Sequence, residues 1–242
     1  MDSNLPVNVQ MQYLRPAELE ERGRAFPVVY VPFGLIEWHG PHLPLGNDAM
    51  KAHAILCKCA ERHGGVVYPP VWFHSCFPRE HLEPVLAHLF ERLKKTGYRV
   101  IIAISGHNVN EQIDMAARAL EPVTADGTVR GYAGWEISLS RSKDSDTDHA
   151  AKWETSNMQF FYPGLVDMEA LGEGPINLDM KPPCGMIGLD PRTHANADVG
   201  RLNCMLAADA IGCKARELYL SLPEEHRGFN IERINPQFWW YV

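Results

Sequence analysis

The six cysteines of this 242-residue chain, Cys57, Cys59, Cys76, Cys184, Cys204 and Cys213, include no CxxC pair. Zinc-ribbon and dithiol-redox classes therefore lose their signature, and the alanine and leucine neighbours of several of these cysteines predict buried, reduced thiols. No run approaches eighteen consecutive apolar residues, so no membrane-spanning helix is expected. The opening "MDSNLPVNVQMQYLRP" lacks a positive region followed by an apolar stretch, and a cytoplasmic protein is expected. Positive charge is also short: 23 Lys and Arg against 30 Asp and Glu leave a net charge of -7, spread along the chain. With no basic patch, neither nucleic acid nor a membrane surface is an expected partner, and a small-molecule substrate is expected instead. Internal repeats are absent, and the only biased stretch is the short "SRSKDSDTD".

What is present suffices for one sizeable core. With 45% hydrophobic residues, positions 1–242 are expected to form a single domain, with 222–242 as a C-terminal aromatic tail. In that tail, Phe238, Trp239, Trp240 and Tyr241 require cover, either from the chain's own core or from a neighbouring subunit.

Strand-like and helix-like segments alternate. "PVVYVPFGL" (27–35) reads as a buried strand ended by Gly34, and the helical stripe Ala52, Ile55, Leu56 and Cys59 follows it. "VVYPPVWF" reads as a second, proline-marked strand. A helix then carries the stripe Leu82, Val85, Leu86, Leu89, Phe90 and Leu93. "YRVIIAI" (98–104) is the cleanest strand, running into "SGHNVN" and the helix "EQIDMAARALE". "TVRGYAGW" is a further strand, a helix is expected to start near His149, and "NADVGRLNCMLAADAIGCKARELYLSL" reads as a long amphipathic helix. The fold class is α/β, a mostly parallel sheet covered by helices on both faces.

Ligands in open α/β sheets bind at the carboxyl ends of the strands. The loops 36–48, 105–110 and 138–149 follow three of these strands and should converge. They carry Glu37, His39, His42, Asp48, His107, Asp148 and His149, with Glu154 one turn into the next helix. Each has an ordinary structural reading: Asp48 as a helix N-cap, Glu154 as a helix-surface residue, a loop histidine as a capping group. The spacing favours metal. Glu37 and His39, two apart in an extended segment, leave the same face, and carboxylates with imidazoles suit zinc, manganese or iron.

Four segments carry a family resemblance. "EWHGPHLPLGND" resembles the E-x-H-G-x-H-L-P-L-x-x-D signature of the creatininase (creatinine amidohydrolase) family. "SGHNVN" resembles its N-G-H-G-G-N loop, "HAAKWETS" its H-A-G-x-x-E-T-S segment, and "GMIGLDPRTHANADVGR" its late G-x-x-G-D-P motif. The resemblance implies a creatininase-like α/β/α fold, two divalent ions per chain and a homo-oligomer, by family precedent a hexamer. It makes Glu37 and His107 ligands of one ion, His39 a ligand of the other, and Asp48 the bridge. The glutamate that completes the second site in creatininase is replaced by Val109, and Glu154 is the expected substitute. His42 is expected to orient a carboxylate from behind, and His149 to contact substrate; His149 and Glu154 are the candidates to move the proton. Asn108, Arg79 and Trp153 are expected at the substrate, with Trp135 or Trp153 compensating for a stacking tryptophan where Ser145 and Asp146 stand here.

The implied activity is hydrolysis of a C–N bond of a small cyclic or linear amide by a metal-activated hydroxide, creatinine itself not being preferred. Ring opening of a non-amide cyclic ketone or lactone is the alternative within enzymes, and a metal-containing scaffold without turnover the alternative outside them.

Overall fold

The computed structural model describes residues 5–74, 79–140, 148–179 and 185–229. Cys76, Ser145, Asp146, Cys184 and the aromatic residues at 238–241 lie outside these, as does the side chain of Arg79. In chain order the elements are α1 (Pro16–Ala25), β1 (Val28–Ile36), α2 (Asn47–His63), β2 (Val66–Val67), β3 (Val71–His74), α3 (Arg79–Thr96), β4 (Val100–Ser105), α4 (Asn110–Thr124), β5 (Arg130–Trp135), α5 (Lys152–Phe161), α6 (Pro191–His194) and α7 (Ala197–Leu220). Every ladder among the described strands is parallel, in the order β2/β3, β1, β4, β5.

Period-two patterning divides the apolar residues between two cores. Val28 and Tyr30 of β1 face the side covered by α2 and α7, together with Ile55, Leu56, Cys204 and Ile211. Val29, Val31 and Phe33 face the other side, with Leu86 and Phe90 of α3 and Met115 and Ala119 of α4. The sheet is thus covered on both faces, as expected.

Several boundaries differ from the sequence reading, each for a local reason. β1 runs through Gly34 to Ile36 rather than ending there. The expected second strand is two, β2 and β3, both paired to β1 and separated at Pro69 and Pro70. Pro32 sits inside β1, where a proline normally costs a ladder bond. Tyr30 O accepts from Tyr68 N and Phe33 O from Gly106 N, so the backbone of residue 32 faces the β2/β3 side, where the ladder is already interrupted. Val85 is exposed on α3 rather than in its apolar stripe. Cys57, Cys59 and Cys204 are free and buried, but Cys213 is free and exposed. The helix expected near His149 begins at Lys152, and His149 instead bridges Ile187 in antiparallel fashion.

Parallel register brings the strand ends together: Phe33 is level with Ser105, and Ser105 with Trp135. Glu37, His107 and Glu136 leave their strands on the same edge. The first turn of α2 lies directly over this edge, and two glycines permit it. A Cβ on Gly34 would strike the Asp48 side chain, and one on Gly106 would strike the Asp48 carbonyl.

Gly106→Ala is therefore expected to destabilise the fold by about 2 kcal/mol, in the range of overpacking a close contact. Gly164→Ala, where an added Cβ meets nothing within 4 Å, is the control. Urea unfolding of both checks this; equal stability of the two variants would remove the steric argument.

Candidate functional site

The described parts of the expected loops come together, and Asp48 lies at their centre. It is 1% exposed, in the first turn of α2, where the helix dipole favours a carboxylate. Its two oxygens face different imidazoles. Oδ1 is 2.9 Å from His39 Nε2, while Oδ2 is 3.4 Å from His107 Nδ1 and accepts the Leu35 backbone N–H at 3.2 Å. Burial opposes ionisation of Asp48, yet His107 and His39 hold its carboxyl below the ordinary range.

Around Asp48 three groups of potential ligand atoms overlap: Glu37, His39 and His149; Glu37, Asp48 and His107; and His39, Asp48 and Glu154. His39 is fully buried, with Nδ1 3.2 Å from the Glu37 carbonyl, a contact that suits an Nδ1–H donor and leaves Nε2 for the cluster. Glu37 Oε1 lies 2.9 Å from His107 Nδ1, yet this buried oxygen makes no hydrogen bond of acceptable geometry. A carboxylate oxygen and an imidazole nitrogen set side by side can share a cation, either a proton or a metal ion.

The electrostatics agree. Burial pulls the His39 pKa down, but Glu154, Asp48 and Glu37 outweigh it and raise it to about 9. His107 is raised to about 10, Asp48 and Glu37 again overcoming burial. Three carboxylates in a recess draw protons onto both imidazoles. A divalent ion satisfies the same field, and the donor set of carboxylates and imidazoles suits zinc, manganese or iron.

Glu154 is not on the helix surface: it is 7% exposed and points inward from α5. Its Oε1 accepts from Lys51 Nζ at 2.5 Å, and Oε2 accepts from Ala150 N at 2.7 Å while lying 3.8 Å from His39 Nε2. Burial would raise its pKa, but the Lys51 ammonium and His39 hold it below the usual value. Asp148 accepts from Trp153 N and Glu154 N and so anchors the start of α5.

His149 carries its Nε2 2.8 Å from the Trp38 carbonyl, so that nitrogen bears the proton. Nδ1 is left facing the cluster, 3.9 Å from Glu37 Oε1 and 3.9 Å from Glu154 Oε2. Its ring packs against that of His39, centroids 4.6 Å apart and planes tilted by 34°. His42 corrects an expectation. Rather than orienting a carboxylate, its Nε2 pairs with Thr155 Oγ1 at 2.8 Å, tying the first loop to the residue after Glu154. Burial lowers its pKa to about 4, which keeps it neutral.

A cavity of about 420 Å³ opens over the cluster, a volume suited to a small ligand. Asn108, Trp135 and Trp153 line it. The sequence reading passed over Trp38, Lys51, Glu136, Asn157 and Asn203, which also line it. Lys51 is the least foreseeable. It is 2% exposed and 2.8 Å from Glu136 Oε1, and against the cost of burial Glu136 and Glu154 keep its pKa well above the ordinary lysine value.

The fold has solved counterparts. A crystal structure of creatinine amidohydrolase (creatininase) superposes with a TM-score of 0.73 at 19% identity, covering 90% of this chain and 99% of that one. Solved creatininase structures include a zinc–zinc form and a manganese form. In sequence, the creatinine amidohydrolase of Pseudomonas putida is 26% identical over 211 residues, 69% of this chain and 76% of that protein. The mycofactocin precursor peptide peptidase of Mycolicibacterium smegmatis is 31% identical over 157 residues, 58% of this chain and 60% of that protein. The creatininase family profile, described as creatinine amidohydrolase, matches residues 12–211. The chain thus belongs to the creatininase family, a family of hydrolases that includes metal-dependent members. No helix among the described residues is long and apolar enough to cross a membrane.

Because His39 and His107 hold protons in the metal-free protein, ion binding must displace them. Loading with zinc at pH 7.5 is expected to release about two protons per chain, and apparent affinity should rise with pH up to about 10, less steeply above about 9. Calorimetry in buffers of different ionisation enthalpy reads this directly. Uptake without proton release would show that neither imidazole is a ligand.

Proposed function

We propose that this chain is a dinuclear metal-dependent amidohydrolase that cleaves the C–N bond of a small cyclic or linear amide. The observation that carries the proposal is the placing of the two Asp48 oxygens against different imidazoles, as a bridging carboxylate requires. Glu37 and His107 would hold one ion and His39 and Glu154 the other. Two divalent ions there would supply hydroxide at neutral pH and polarise the carbonyl under attack.

The chain's own residues supply the rest. Hydrolysis adds water oxygen to the amide carbon and delivers a proton to the leaving nitrogen. His149 Nδ1 faces the cluster and is free to accept a proton, because Nε2 spends its own on the Trp38 carbonyl. It therefore acts first as acceptor and becomes a donor only once protonated, which suits one group serving both halves of the transfer. Glu154, held by Lys51 and Ala150, is better suited to ligation than to carrying the proton. Trp38 and Trp153 offer apolar faces to the substrate body, and Asn108 a polar contact at the mouth.

An amide is favoured by two of the relatives, an amidohydrolase and a peptidase, both of which cleave C–N bonds. We place the enzyme in the cytoplasm as a homo-oligomer. Leu202 and Leu206, four apart on α7 and 61% and 53% exposed, support a surface for self-association.

Glu154→Gln is expected to lose one of two ions and Glu37→Gln to disturb the other, each lowering turnover at least a hundredfold on the reactive member of a panel of lactams, formamides and short peptides. Elemental analysis and product assay check this. Wild-type metal content and activity in Glu154→Gln would overturn the ligand assignment, and turnover confined to lactones or cyclic ketones would overturn the amide.

A further inference from the structure

We propose that Lys51, itself held by Glu136, is a positioning residue that turns the Glu154 carboxylate toward His39 and Asp48. The inference rests on the reading above that Glu154 is a metal ligand. Lys51 stands three residues after Asp48, so both lie on one face of α2, a turn apart. That face packs against α5, and the lysine is buried where a helix would ordinarily carry an apolar residue. An ammonium in such a place needs a purpose, since burying it costs more than an apolar side chain would.

The geometry supplies one. Glu154 reaches the cluster from a helix, and its side chain has three rotatable bonds to fix. Lys51 takes Oε1 at 2.5 Å, and the Ala150 N–H takes Oε2 at 2.7 Å. Ala150 has a positive φ of 53°, a conformation uncommon for a residue with a side chain, and this aims its N–H at the carboxylate. Clamped at both oxygens, the carboxylate presents Oε2 3.8 Å from His39 Nε2. Glu136 Oε1 holds the ammonium from the other side at 2.8 Å.

Cobalt(II) titration with chelator competition, read by visible absorption, tests the proposal on three proteins. In Lys51→Met the affinity for one of the two ions is expected to fall about tenfold or more, the scale seen when a partner behind a ligand is lost. That variant leaves Glu136 buried without its cation, so the double variant Lys51→Met/Glu136→Gln is measured beside it. The double variant should regain thermal stability relative to Lys51→Met while the weakened ion stays weak. Wild-type affinity for both ions in the double variant would show that Lys51 serves the fold alone and overturn the inference. Glu154→Gln separates the two failures. If it loses one ion while the double variant binds both normally, only the role of Lys51 falls; if it too binds both normally, the ligand reading falls as well.

Discussion

The first turn of α2 can reach the ends of β1 and β4 because Gly34 and Gly106 carry no Cβ, and the position of Asp48 follows from that contact. A carboxylate there is nearly cut off from water, lies at the positive end of a helix and has one oxygen toward each of two imidazoles. The loops after β1 and β4 are fixed against it from either side. His42 then binds Thr155 and so ties the first loop to α5, which brings Glu154 to the same point.

This arrangement concentrates negative charge. Glu37, Asp48 and Glu154 share one recess, and Lys51 is committed to Glu154 and Glu136. Without a metal, His39 and His107 answer the field by holding protons well above their usual range. Divalent ions would answer it more completely, and the chemistry they would supply depends on room for a water beside them. The cavity above the cluster provides that room, lined by Trp38, Trp135 and Trp153 and by Asn108, Asn157 and Asn203, with Lys51, Glu136 and Asp148 also in its wall. His149 sits at the boundary, with one nitrogen committed to the backbone and the other open to the cluster.

Much of this was legible in the sequence because it depends on local spacing. Glu37 and His39 are two apart in the segment just past β1, and their side chains do meet, His39 Nε2 lying 3.7 Å from Glu37 Oε1; the rule that ligands gather at the carboxyl ends of parallel strands points to His107 and His149 at the same edge. Long-range partners were not legible. Nothing near His42 announces Thr155, and a lysine in the run "NDAMKAHA" reads as solvent-facing until α5 and α7 are seen to cover that side of α2. Glu136 was hidden likewise, since only the parallel register of β4 and β5 sets it beside the site. The split between β2 and β3 follows from two adjacent prolines, whose effect on pairing depends on the neighbour strand and not on their own segment.

The central claim is that one carboxylate organises two ions. Elemental analysis of Asp48→Ala beside wild type, both purified and exposed to the same excess of zinc, tests it most directly. The account predicts about two ions per chain in wild type and neither in the variant, because a bridge serves both. A folded Asp48→Ala protein that keeps its full metal content, or loses one ion and holds the other at wild-type affinity, would contradict it.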